Sequence, residues 1–128
     1  MHILLIDDEL SFLETVITRL RLRGIAAEGV ESGEKALEAM RAGHFDAVVL
    51  DVSMPGMDGV STLRELKRIN SEVPVIMLTG HATLETADEG MKLGAFDYMM
   101  KPCPIDELLD KVSEAIRSRD KGGEARQG

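Results

Sequence analysis

Two patterns alternate along the chain. Ile3-Leu4-Leu5-Ile6, Ala47-Val48-Val49-Leu50 and Val75-Ile76-Met77-Leu78 are short continuous apolar runs, the pattern of strands buried on both faces. Phe96 to Met100 reads as a further strand, and Ile25 to Val30, interrupted by Glu28, suits an edge strand. Between these runs the apolar period is helical. Leu13, Val16, Ile17 and Leu20 fall at i, i+3, i+4 and i+7, and Gly24 follows as a stop. Ala36, Leu37 and Met40 mark a second helix between Ser32 and Gly43. Leu63, Leu66 and Ile69 mark a third, and Leu84, Ala87 and Met91 a fourth ending at Gly94. Ile105, Leu108, Leu109, Val112 and Ile116 form the clearest stripe. The pattern predicts an α/β fold, (βα)5, with a doubly wound five-stranded parallel sheet. Beyond Ser118 the apolar anchors stop, so residues 1–118 read as one domain and 119–128 as a disordered tail or the start of a linker.

Composition narrows the class. Hydrophobic residues make up 44% of the 128, enough for a core, and with no Trp and one Tyr that core is aliphatic and Met-filled. Lys and Arg number 15 against 23 Asp and Glu, a net charge of −8 that repels phosphate backbones, so direct nucleic-acid binding is not expected. No apolar run approaches the roughly 20 residues of a membrane span. The single Cys103 excludes an internal disulfide and a Cys-based zinc site. These features favour a soluble protein of the reducing cytosol, without a membrane partner.

The candidate chemistry lies at the strand ends. Asp7 and Asp8 follow the first apolar run and Asp51 the third. In an open parallel sheet of order 2-1-3-4-5 those two strands are neighbours, and ligands bind outside their carboxyl ends. Three carboxylates crowded there repel one another, and a hard cation such as Mg²⁺ relieves them. Singly, Asp8 also reads as a helix cap and Asp51 as a turn opener. Thr79 follows the fourth run and Lys101 the fifth, supplying a hydroxyl and an ammonium suited to a phosphoryl group. Taken singly, they also read as a turn residue and a solvated lysine.

Ile6-Asp7-Asp8-Glu9, Val49 to Gly59 (VLDVSMPGMDG), Leu78-Thr79-Gly80, Phe96-Asp97-Tyr98 and Lys101-Pro102 together resemble the receiver domains of two-component response regulators, chemotaxis receivers among them. The resemblance spans about residues 2–118 and implies a flavodoxin-like fold. It implies that Asp51 is the phospho-acceptor, that Asp8 and Asp51 ligate Mg²⁺ directly, that Asp7 holds it through water, and that the Ser53 backbone carbonyl completes the protein ligands. Lys101 then pairs with the phosphoryl oxygens, and Thr79 with Tyr98 forms a conformational switch. The Lys101-Pro102 bond is expected to be cis.

The implied partners are a sensor histidine kinase or phosphotransfer protein as donor, and a downstream protein or fused effector as output. A homodimer on phosphorylation is a further option. Such a domain is not an enzyme in the usual sense, although it catalyses its own phosphorylation and slow dephosphorylation. Thr79-Gly80-His81-Ala82-Thr83 and Gly94 to Tyr98 resemble receivers of sigma-54-type activators, so the regulatory domain of a longer transcriptional regulator is an alternative. An Mg²⁺-dependent aspartyl-nucleophile phosphatase is a third, weakened because Ser53 stands where those enzymes carry an acid. His81 lies at the rim of the site. Cys103, in Pro102-Cys103-Pro104 before the last helix, is either an inert small side chain or a thiol activated by the helix N-terminus.

Overall fold

The structure, a computed structural model, describes residues 1–52, 59–80 and 84–127. Strands β1 (His2–Ile6), β2 (Ala26–Val30), β3 (Ala47–Asp51), β4 (Val75–Thr79) and β5 (Asp97–Met100) alternate with helices α1 (Leu10–Leu22), α2 (Gly33–Ala42), α3 (Gly59–Ile69), α4 (Leu84–Lys92) and α5 (Ile105–Gln127). All strand pairs are parallel, in the order β2-β1-β3-β4-β5. The expected fold class, strand order and edge position of β2 are therefore found. Exposed Glu28 on β2 blunts that edge against pairing with another chain.

The continuous apolar runs follow from burial on both sheet faces. Leu4, Ile6, Val48, Leu50, Val75 and Met77 pack with α2 and α3 through Ala36, Leu37, Met40, Leu63 and Leu66. Ile3, Leu5, Val49, Ile76 and Leu78 pack with α1 and α5 through Leu13, Val16, Leu20, Leu108, Val112 and Ala115. Burying a leucine such as Leu63 or Leu66 contributes roughly 2 kcal/mol. The same two-residue alternation sorts the polar strand ends. Asp7, Asp51 and Lys101 continue the series of Leu5, Val49 and Met99, on the α1/α5 side. Thr79 and Tyr98 belong with Met77, on the opposite side.

Helix ends follow local chemistry. The Ser32 hydroxyl accepts from the Lys35 amide at 3.2 Å, capping α2. Gly24 and Gly94, the expected stops, carry φ of 78° and 104°, where a side chain would be strained. One expectation changes. Met91 is exposed, and α4 instead turns Ala87 and Gly90 toward the sheet. A Cβ on Gly90 would stand 2.1 Å from Met77 Sδ, so the helix reaches β4 only because no side chain intervenes. Helix α5 runs to Gln127, past the point at Ser118 where the apolar anchors stop. Arg119 anchors its middle: Nη1 donates to the Asp46 carbonyl at 3.1 Å, while the Asp46 carboxylate accepts from the His2 amide at 2.7 Å.

Gly59 opens α3 against the residue after Asp51. A Cβ there would lie 2.3 Å from Val52 Cα, a backbone atom that cannot swing away. Gly59→Ala is expected to destabilise the domain by about 2 kcal/mol, measured by urea unfolding. Wild-type stability in that variant would contradict the close approach.

Candidate functional site

The order of the sheet brings the carboxyl ends of β1 and β3 side by side, with Ile6 opposite Leu50. One ligand oxygen from each of Asp7, Asp8 and Asp51 lies within 4.8 Å of the others. Asp7 is 2% and Asp51 4% exposed, whereas Asp8 faces solvent. Asp8 is not the cap of α1; that position is Glu9, whose amide instead donates to Asp7 Oδ1 at 2.9 Å and fixes the carboxylate. The next strands add the cation. The Lys101 amide donates to the Thr79 carbonyl at 2.7 Å, and the Lys101-Pro102 bond is cis as the resemblance implies. Lys101 Nζ donates to Asp7 Oδ2 at 2.5 Å and Asp51 Oδ2 at 3.4 Å.

Among the described residues, one ammonium faces three carboxylates, which leaves excess negative charge. Burial raises the Asp7 pKa; hydrogen bonds from Lys101 and the Glu9 amide oppose this, the Asp51 charge adds to it, and the net direction is up. For Lys101, burial alone would lower the pKa, but its hydrogen bond to Asp7 and the charges of Asp51, Asp7 and Glu9 outweigh it and hold it protonated. Three hard oxygen donors, one open to solvent, fit a hard divalent cation with room for water and phosphate oxygens.

The sign of the Asp7 shift has a consequence for stability. A raised folded-state pKa means that the folded chain holds the proton more tightly than the unfolded one. That contribution is present below the ordinary value of 3.8 and is lost as pH rises through the folded value. At neutral pH the metal-free cluster therefore weakens the fold. Asp7→Asn is expected to stabilise the metal-free protein by about 1 kcal/mol, seen as a higher Tm in chelator at pH 7. A lower Tm would show that the Lys101–Asp7 bond outweighs the repulsion.

The remaining sequence candidates divide. Thr79 is 1% exposed; its hydroxyl donates to the Met99 carbonyl at 3.4 Å and lies 3.7 Å from Met100 Sδ. Tyr98 is partly buried against the α2/α3-side cluster. Ser53 and His81 lie outside the described residues. Burial and then the Glu107 charge push the Cys103 thiol up, which favours the inert reading over helix-activated chemistry. Sequence reasoning missed Phe12, whose ring centroid lies 4.4 Å from Lys101 Nζ. Phe12 lies at the margin of the helical stripe, four residues before Val16, and no local pattern links it to Lys101. It lines a cavity of about 480 Å³ with Glu9, Gly80, Lys101, Pro102 and Cys103.

A sequence profile of the response regulator receiver domain matches residues 3–113. The chain belongs to this family of two-component receivers. The receiver is 40% identical over 116 residues to the transcriptional regulatory protein ZraR of Escherichia coli (strain K12), covering 91% of this chain and 26% of that protein. It is 37% identical over 116 residues to the regulatory protein AtoC of the same strain, covering 91% of this chain and 25% of that protein. The receiver thus spans about a quarter of these relatives.

Solved structures agree. A receiver domain protein (CheY-like) from Methanospirillum hungatei JF-1 superposes with TM-score 0.91 at 27% identity, covering 94% of this chain and 97% of that one. NtrX from Brucella abortus, solved with ADP, superposes with TM-score 0.90 at 30% identity, covering 98% of this chain and 29% of that one. Among the described residues of the receiver, no helix is long and apolar enough to cross a membrane.

Proposed function

We propose that Asp51 accepts a phosphoryl group at an Mg²⁺ site, and that the resulting charge resets Thr79 and Tyr98. The observation that carries this reading is the juxtaposition of a buried carboxylate, two further acids and one shared ammonium at the β1/β3 junction. Asp8 and Asp51 would ligate the metal directly, Asp7 through water, and the Ser53 carbonyl would complete the protein ligands. When bound, Mg²⁺ neutralises charge on the transferring group.

Asp51 supplies the nucleophilic oxygen, so the donor must carry an activated phosphoryl group, as a phosphohistidine of a sensor kinase or phosphotransfer protein or a small acyl phosphate does. Lys101 turns from Asp7 toward the new phosphoryl oxygens. The Thr79 hydroxyl exchanges its long bond to the Met99 carbonyl for a charge-assisted one. Tyr98 shares its side of the sheet and would shift with it. The domain is a signalling switch that promotes its own phosphorylation and slow hydrolysis.

The relatives' names and their greater length favour a second statement about output: residues 1–118 act as the regulatory domain of a longer cytoplasmic transcriptional regulator, with 119–128 beginning the linker. Control of a separate protein, with or without dimerisation, is the other output, and family membership leaves the phosphatase alternative without support.

Incubation with acetyl phosphate and Mg²⁺, followed by intact mass, tests the chemistry. One phosphoryl adduct is expected, absent with chelator and removed by hydroxylamine. Because Tyr98 is the only tyrosine and Trp is absent, intrinsic fluorescence reads the switch in the same sample. An adduct without any change in Tyr98 emission would remove Tyr98 from the switch.

A further inference from the structure

The proposed reaction asks Lys101 to do two things. In the resting protein it offsets the acidic cluster, and during transfer it must meet phosphoryl oxygens growing on Asp51. A lysine has a flexible four-carbon stem and no preorganised fork, so its position depends on what surrounds the ammonium. The carboxylates alone draw it onto Asp7, at 2.5 Å, rather than Asp51, at 3.4 Å. Beside the ammonium lies Phe12, whose ring centroid is 4.4 Å from Nζ. Phe12 sits in the first turn of α1, half-buried against the α1/α5-side core, and the Lys101 side chain is only 14% exposed, so the contact is partly desolvated.

We infer that Phe12 is a positioning residue for phosphoryl transfer, its ring face holding the Lys101 ammonium within reach of Asp51 while leaving it free to change partners. The quadrupole of an aromatic face attracts a cation without fixed hydrogen-bond directions. Such a seat restrains Nζ yet lets it pivot from Asp7 toward the new oxygens. A carboxylate in that place would compete for the ammonium, and an aliphatic side chain would not hold it. This inference rests on Asp51 being the acceptor.

Phe12→Leu keeps an apolar side chain against the core and removes the π-face. Its rate of adduct formation from acetyl phosphate and Mg²⁺ is expected to fall about three- to tenfold. Phe12→Tyr, which retains the ring, is expected to stay within about twofold of wild type. In a Lys101→Ala background, followed over longer incubation, Phe12→Leu is expected to cause no further loss, because the ring then has no cation to seat. An unchanged rate in Phe12→Leu overturns the inference, and so does the same loss in both backgrounds, which marks a role in packing alone. Failure of the acceptor assignment has a separate signature: the wild-type protein gains no adduct at Asp51.

Discussion

Asp51→Asn is expected to abolish phosphoryl acceptance while leaving the fold intact. The amide matches the carboxylate in shape, so the packing at the end of β3 persists, but it has no nucleophilic oxygen to attack an activated phosphoryl group. Asp51 is also a buried acid that shares the Lys101 ammonium with Asp7, so the variant relieves repulsion with Asp7. Loss of the adduct should therefore accompany a metal-free stability equal to or above that of wild type, by about 1 kcal/mol at most. Intact mass after acetyl phosphate treatment and a thermal melt in chelator measure both. Adduct formation at the wild-type rate would place the acceptor elsewhere, and a collapsed melt would mean that the loss reports unfolding.

Lys101→Ala carries the second large effect, a loss of both transfer rate and metal-free stability. Removing an ammonium aimed at developing phosphoryl charge is expected to slow adduct formation on the order of a hundredfold, about 3 kcal/mol. It also leaves Asp7 and Asp51 buried without their cation, which costs about 3 kcal/mol in the metal-free protein. Mg²⁺ should recover more stability in this variant than in wild type, because the metal ion takes over the charge balance that Lys101 provided. Urea unfolding with and without Mg²⁺ checks this. An equal gain in the two proteins would show that Lys101 and the metal do not share one electrostatic role.

Much of this was legible in the sequence for a physical reason. Strands β1, β3 and β4 are buried on both faces, so nearly every position is apolar and the runs stand out; β2 is an edge, and its exposed Glu28 made it faint. Acids directly after those runs land at strand ends, which is why Asp7, Asp8 and Asp51 stand out in the sequence. The sequence does not encode in a local pattern what joins distant elements. Phe12, in α1, meets Lys101, which follows β5. Gly59 matters through its distance to Val52, and Gly90 through Met77, and a helical period registers a glycine as a gap rather than a contact. Met91 fitted the apolar period of α4 but lies at the margin of its buried face. The course of α5 to Gln127 depends on backbone hydrogen bonding in a polar segment, where hydrophobic periodicity is silent.

The central claim is that the phosphoryl group is carried by Asp51, and reductive trapping reads it directly. The protein is phosphorylated with acetyl phosphate and Mg²⁺, treated with borohydride to convert the acyl phosphate to the corresponding alcohol, digested and mapped by mass. The account predicts the alcohol at Asp51 alone. Its presence at Asp7 or Asp8, or at no aspartate in a sample that carried the adduct, would contradict it.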